Sequence, residues 1–123
     1  MTLSKKILVI DDDSRNIFAL SAILKSRKYV CVSAESAEAG FSILKHDKDI
    51  GVILMDMMMP DMDGYEAIAK MKEDNHLRNI PVIAVTARAM TGDKELCIQA
   101  GASGYVSKPI DIDKLVMLIN SVA

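Results

Sequence analysis

Residues 52–64 read Val52-Ile53-Leu54-Met55-Asp56-Met57-Met58-Met59-Pro60-Asp61-Met62-Asp63-Gly64. The first four form an unbroken aliphatic run. A strand with one wet face alternates apolar and polar residues, whereas a run without alternation predicts burial on both faces. The run stops on an acid and passes into a proline-containing turn, after which Gly64 opens a helix. The same unit recurs along the chain. Ile7–Ile10 ends on Asp11-Asp12-Asp13, Val82–Val85 ends on Thr86, and Gly104–Val106 leads to Lys108-Pro109. A further apolar run spans Tyr29–Val32.

Segments with helical spacing lie between these runs. Ile17, Leu20 and Leu24 make one stripe, and Ala37, Gly40, Phe41 and Leu44 make another. Ile112, Leu115, Val116 and Ile119 follow the i, i+3, i+4, i+7 pattern most clearly. Helix starts are expected at Ser14 (aided by Asp13), Ser36, Thr91 and Asp111, and Gly101 is placed to end the fourth helix. That helix, Thr91 to Ala100, is the least amphipathic; Leu96, Cys97 and Ala100 are its expected buried face. Five strands alternating with five helices need crossover connections, so the expected fold class is α/β with a parallel, doubly wound sheet.

The chain has 123 residues, the usual size of one domain, so a single domain over 1–123 is expected. A net charge of −2 argues against a nucleic-acid binder that works by charge. The apolar runs are far too short to insert in a membrane, and none resembles a signal peptide. Cys31 and Cys97 have no metal or redox spacing and sit among apolar residues. They read as buried thiols of a cytoplasmic protein.

In open sheets of this kind the site lies beyond the carboxyl ends of the strands. Asp11, Asp12, Asp56, Thr86 and Lys108 all fall there. Acids about 5 Å apart repel by roughly 3 kcal/mol per pair at an effective dielectric near 20. A raised pKa on one acid or a bound cation relieves this. His46 and His76 lie outside the pattern, so the donor set is oxygen alone, which suits Mg2+ shared with phosphate. A calcium loop fits poorly, because Met59 and Lys70 stand at the first and last ligand positions around Asp61, Asp63 and Gly64. Copper on the methionines fits poorly too, since consecutive side chains diverge at Met57, Met58 and Met59.

A carboxylate can also accept a phosphoryl group as a nucleophile, given a metal, a fixed ammonium and a hydroxyl donor. Asp56 at the centre is the expected nucleophile, with Asp11 and Asp12 for the metal, Lys108 as the ammonium and Thr86 as the hydroxyl. Lys108 as a plain ion-pair partner of Asp56, and Thr86 as a strand-end hydroxyl, are the simpler alternatives.

Asp11-Asp12, then Asp56 through Gly64, then Thr86-Ala87, then Lys108-Pro109, together resemble a response-regulator receiver domain of two-component systems, over essentially the whole chain. The resemblance implies a flavodoxin-like sheet of order 2-1-3-4-5. It implies that Asp56 is phosphorylated from a phosphohistidine on a sensor histidine kinase or histidine phosphotransfer domain. Mg2+ would be held by Asp11, Asp12, Asp56 and the backbone carbonyl of Met58. Lys108 would contact the phosphoryl group. Thr86 and Tyr105 would act as switch residues, reshaping the face of the fourth helix, fifth strand and fifth helix for a downstream effector. Met58 and Arg88 would line the approach to the phosphoryl group, and the Lys108-Pro109 peptide would be cis.

Such a domain is a switch rather than a turnover enzyme. It assists only its own phosphorylation and dephosphorylation. An Asp-nucleophile phosphatase of haloacid-dehalogenase type is the enzyme alternative, through Asp61-Met62-Asp63-Gly64, but Met59-Pro60 stands where a strand should lead in. A flavin module would need a Ser/Thr/Gly-rich loop after the first strand, where this chain has three aspartates. Within the receiver reading, a free-standing regulator and a segment of a hybrid kinase both remain open. The stretches Arg15–Leu20 and Ala87–Asp93 resemble the hybrid-kinase type.

Overall fold

The computed structural model describes residues 5–87 and 92–122. Strands and helices alternate: β1 (Lys6–Ile10), α1 (Ser14–Ser26), β2 (Cys31–Ala34), α2 (Ala37–His46), β3 (Ile50–Asp56), α3 (Gly64–Glu73), β4 (Val82–Thr86), α4 (Asp93–Ala100), β5 (Gly104–Ser107) and α5 (Ile112–Val122). All pairings are parallel, in the order β2-β1-β3-β4-β5. The expected flavodoxin-like, doubly wound α/β sheet is therefore present.

Two cores flank the sheet, and strand parity decides which residue enters which. Ile7 and Val9 of β1, with Val52 and Leu54 of β3, pack against Ile17 and Leu24 of α1 and Leu115 and Ile119 of α5. Leu8, Ile10, Ile53 and Met55 face the opposite way, toward Leu44, Ile68, Met71 and Cys97. Double-sided burial is why these strands lack polar alternation.

Helix starts follow local chemistry. Asp13, Ser36 and Asp63 each accept a hydrogen bond from the backbone N–H two or three residues on, at 2.9, 3.1 and 2.9 Å. Each such cap is worth about 1 kcal/mol. At α1 the cap is thus Asp13, and Ser14 is the first helical residue. Asp111 accepts from the N–H groups of Asp113 and Lys114 at the start of α5. Gly101 ends α4 in the left-handed region, at φ 118°. Thr91 lies outside the described residues, and the α4 cap position is Gly92.

Three expectations are corrected. The second strand begins two residues later than Tyr29. Lys28 takes φ 72°, and the Tyr29 N–H donates to the Leu24 carbonyl at 3.1 Å, so Tyr29 completes the helix stop. Its hydroxyl reaches Asn120 of α5. Leu96 is 57% exposed and only Cys97 of α4 is fully buried, because this short helix meets the molecule along a single line. Cys31, on the edge strand β2, is half-buried rather than buried; both cysteines are free thiols.

Candidate functional site: a carboxylate pocket at the carboxyl edge of the sheet

The parity that buries Val9 and Leu54 also sets the acids. Val9 and Leu54 are register partners. Two residues beyond each lie Asp11 and Asp56, on the same side of neighbouring strands. Both are 6% exposed, whereas Asp12 is exposed at the rim. Carboxylate oxygens of Asp11, Asp12 and Asp56 lie within 4.8 Å of one another.

Backbone N–H groups hold the two buried acids. Asp13 N–H donates to Asp11 Oδ1 at 2.9 Å, and Met58 N–H donates to Asp56 Oδ1 at 3.0 Å. Lys108 Nζ stands 3.5 Å from Asp11 Oδ2 and 3.8 Å from Asp56 Oδ2. The backbone N–H of Lys108 donates to the Thr86 carbonyl at 2.7 Å, which ties its chain to the end of β4. The Lys108-Pro109 peptide is cis, as expected.

One ammonium cannot neutralise three carboxylates. Burial, and then the charge of Asp11, push the Asp56 carboxyl up to about 6 against the pull of the Met58 N–H and Lys108. Charge strain of this kind marks sites built for a cation or a reaction. The donors are hard oxygens, close-set and partly open at Asp12, and this set fits Mg2+.

Thr86 is buried at the end of β4, and its neighbour β5 carries Tyr105, half-buried. The Tyr105 hydroxyl donates to Asp93 Oδ2 at 3.3 Å. Met57 and Met59 are buried in the same core and Met58 is 51% exposed, so Met58 alone of the three turns to solvent. Arg88 lies outside the described residues. Gly64 has a steric role. A Cβ there would sit 2.8 Å from Cα of Met57, so only glycine lets α3 start against the loop that follows Asp56.

Asp61 is exposed and Asp63 caps α3; neither joins the pocket. A cavity of about 260 Å³ opens beside Asp56 and Lys108, between α1 (Asn16, Leu20, Ile23) and the β5–α5 loop (Pro109, Ile110). Two polar contributors were not foreseen: Asp93 and Tyr65. Their link to Tyr105 depends on how α4 lies against α3, and no spacing in the sequence signals it.

A sheet of this order, with acids after β1 and β3 and a lysine after β5, defines a class of phospho-accepting signalling domains. Residues 7–120 match the family model for the response regulator receiver domain, and the chain belongs to that family. It is therefore the receiver domain of a two-component switch, a class whose typical work is signalling, with an acidic pocket of the kind that binds Mg2+.

Among its relatives is the polar-differentiation response regulator DivK of Brucella ovis, 33% identical over 120 residues covering 97% of this chain and 96% of that one. A receiver protein from Pseudomonas putida superposes with a TM-score of 0.88 at 27% identity, over 98% of this chain and 99% of the other. The receiver domain of a Pseudomonas aeruginosa sensor histidine kinase superposes with a TM-score of 0.85 at 30% identity, over 95% of each chain. That structure has a magnesium ion coordinated in its active-site cleft. Among the described residues, no helix is long and apolar enough to cross a membrane.

Proposed function

We propose that Asp56 is the phospho-acceptor, and that its donor is a phosphohistidine on a sensor histidine kinase or a histidine phosphotransfer domain. The observation that carries this is the placing of Asp56 between Asp11, Asp12 and Lys108 at the carboxyl edge of the sheet. A carboxylate oxygen of Asp56 attacks phosphorus. The P–N bond breaks, and the imidazole leaves with the bonding pair and takes up a proton. The acyl phosphate later yields to water, assisted by the same pocket.

Asp11, Asp12, Asp56 and the backbone carbonyl of Met58 would hold Mg2+, which supplies positive charge to the phosphoryl oxygens when bound. Lys108 faces the same oxygens from the β5 side, and Thr86 offers a hydroxyl to one of them. Met58 flanks the approach used by water, and Arg88, outside the described residues, is assigned the same role from the family resemblance. With the phosphoryl group in place, Thr86 is drawn toward it and Tyr105 turns inward. Occupancy thus shifts a pre-existing equilibrium of the face made by α4, β5 and α5, which a downstream effector reads. The whole chain, 1–123, acts as one domain. It works in the cytoplasm, a setting that suits the free thiols Cys31 and Cys97, with neither nucleic acid nor membrane as a direct partner.

Incubation with acetyl phosphate and Mg2+, followed by intact mass, tests the assignment. Wild type should gain one phosphoryl group and Asp56→Asn none. Equal labelling of the two, or no labelling of wild type, would overturn it.

A further inference from the structure

Asp93 is the first residue of α4, and tyrosines from two other elements hold its carboxylate. Tyr65 of α3 donates to Oδ1 at 3.2 Å, and Tyr105 of β5 donates to Oδ2 at 3.3 Å. The Tyr65 hydroxyl also lies 3.6 Å from Sγ of Cys97, the one fully buried side chain of α4. One acid thereby joins α3, α4 and β5. Among the described residues, α4 has little beyond this junction to fix it, since Leu96 and Ile98 are exposed and its start has no side-chain cap.

The junction also adjoins the phosphorylation loop. Tyr65 follows Gly64, whose N–H donates to the Met57 carbonyl at 3.2 Å, and Met57 is the neighbour of Asp56.

We propose that Asp93, oriented by Tyr65, is a latch: it holds the Tyr105 hydroxyl in its resting place and α4 against α3, and so opposes the phosphorylated state. This rests on the switch described above, in which Tyr105 turns inward. A turn that carries the hydroxyl away from α4 breaks the bond to Asp93. The latch therefore stabilises one state only, and a contact made in one state alone shifts the equilibrium by its full strength. Tyr65 is a positioning residue: it keeps the carboxylate turned so that Oδ2 faces Tyr105. Removing its hydroxyl, or the charge on Asp93, weakens the resting state. Binding of a phosphoryl mimic should then tighten by roughly threefold to tenfold, the span that one hydrogen bond gives.

The test uses the full chain as wild type, Tyr65→Phe, Asp93→Asn and the double variant. Tyr29→Phe is the control, because it removes a hydroxyl bonded elsewhere, to Asn120. Beryllium fluoride with Mg2+ is titrated by calorimetry. Alkylation of Cys97 by iodoacetamide in the ligand-free protein is timed by peptide mass. Both single variants should bind beryllofluoride more tightly than wild type and alkylate Cys97 faster. The double variant should match the singles, because one device has been removed, and Tyr29→Phe should match wild type. A purely structural role for Tyr65 would speed alkylation without tightening binding. That result, or additive effects in the double variant, would overturn the latch. Failure of wild type to take up beryllofluoride would instead strike the phospho-acceptor assignment, and unchanged alkylation in the variants would then still refute the latch.

Discussion

The two ends of the carboxyl edge are built in opposite ways. At β1 and β3, acids sit on strands buried on both faces, fixed by backbone N–H groups and by Lys108. At α4, a short helix with one fully buried residue is tethered through the side chain of Asp93. The first region stores charge in a frame that cannot relax. Among the described residues, the second is held by one buried side chain and a few polar contacts, and can move at small cost. A switch needs both, since a fixed site must feel the phosphoryl group and a loosely held element must answer.

The largest expected effect lies in the fixed region. Replacing Lys108 by Met removes the only cation among the described residues that reaches Asp56. The rate of labelling by acetyl phosphate should fall by at least tenfold, consistent with about 1.5–3 kcal/mol for a charged hydrogen bond. A rate equal to wild type would show that Lys108 is only an ion-pair partner.

Stability should follow the same division. Leu115→Ala in α5, fully buried, should cost ~3–5 kcal/mol in urea unfolding. Leu96→Ala in α4 should cost under ~0.5 kcal/mol. Similar losses at both sites would erase the contrast.

The charge stored at Asp56 gives a pH signature. Its carboxyl is raised from 3.8 to about 6, so the native state keeps that proton where the unfolded chain has lost it. In the absence of metal, this group's contribution to stability is full below about pH 4 and fades as pH rises through 6. The gap between those values corresponds to ~3 kcal/mol. Asp56→Asn should remove this loss and make the metal-free protein more stable at pH 7 than wild type. Mg2+ should stabilise wild type, by ~2.7 kcal/mol at a hundred times its dissociation constant. Denaturation curves from pH 4 to 8, with and without Mg2+, would read both; a variant no more stable than wild type at pH 7 would contradict the stored charge.

The smallest effect concerns Met58, an exposed residue whose backbone N–H donates to Asp56. An apolar side chain there does not orient water. Met58→Asn should shorten the lifetime of the phosphorylated state a few-fold, read as loss of phosphoryl mass with time. An unchanged or longer lifetime would remove Met58 from that role.

How legible each region is in the sequence follows from how it is built. Asp11, Asp56 and Lys108 announce themselves because each ends or follows a strand whose apolar run is visible in one dimension. Strand β2 is displaced from its expected start because Lys28, a non-glycine residue, takes the left-handed turn that ends α1, and nothing in its identity signals this. Leu96 misleads because a narrow helix contact leaves room for one buried residue per two turns. The Asp93 junction is invisible for another reason. Its partners are 28 and 12 residues away, and they meet only once α3, α4 and β5 are packed.

The most direct measurement locates the acyl phosphate chemically. Wild type is phosphorylated with acetyl phosphate and Mg2+, reduced with borohydride and mapped by peptide mass. An aspartyl phosphate is reduced to homoserine, and homoserine should appear at position 56 alone. Homoserine at Asp11, Asp12 or Asp61, with position 56 unchanged, would contradict the assignment on which the account depends.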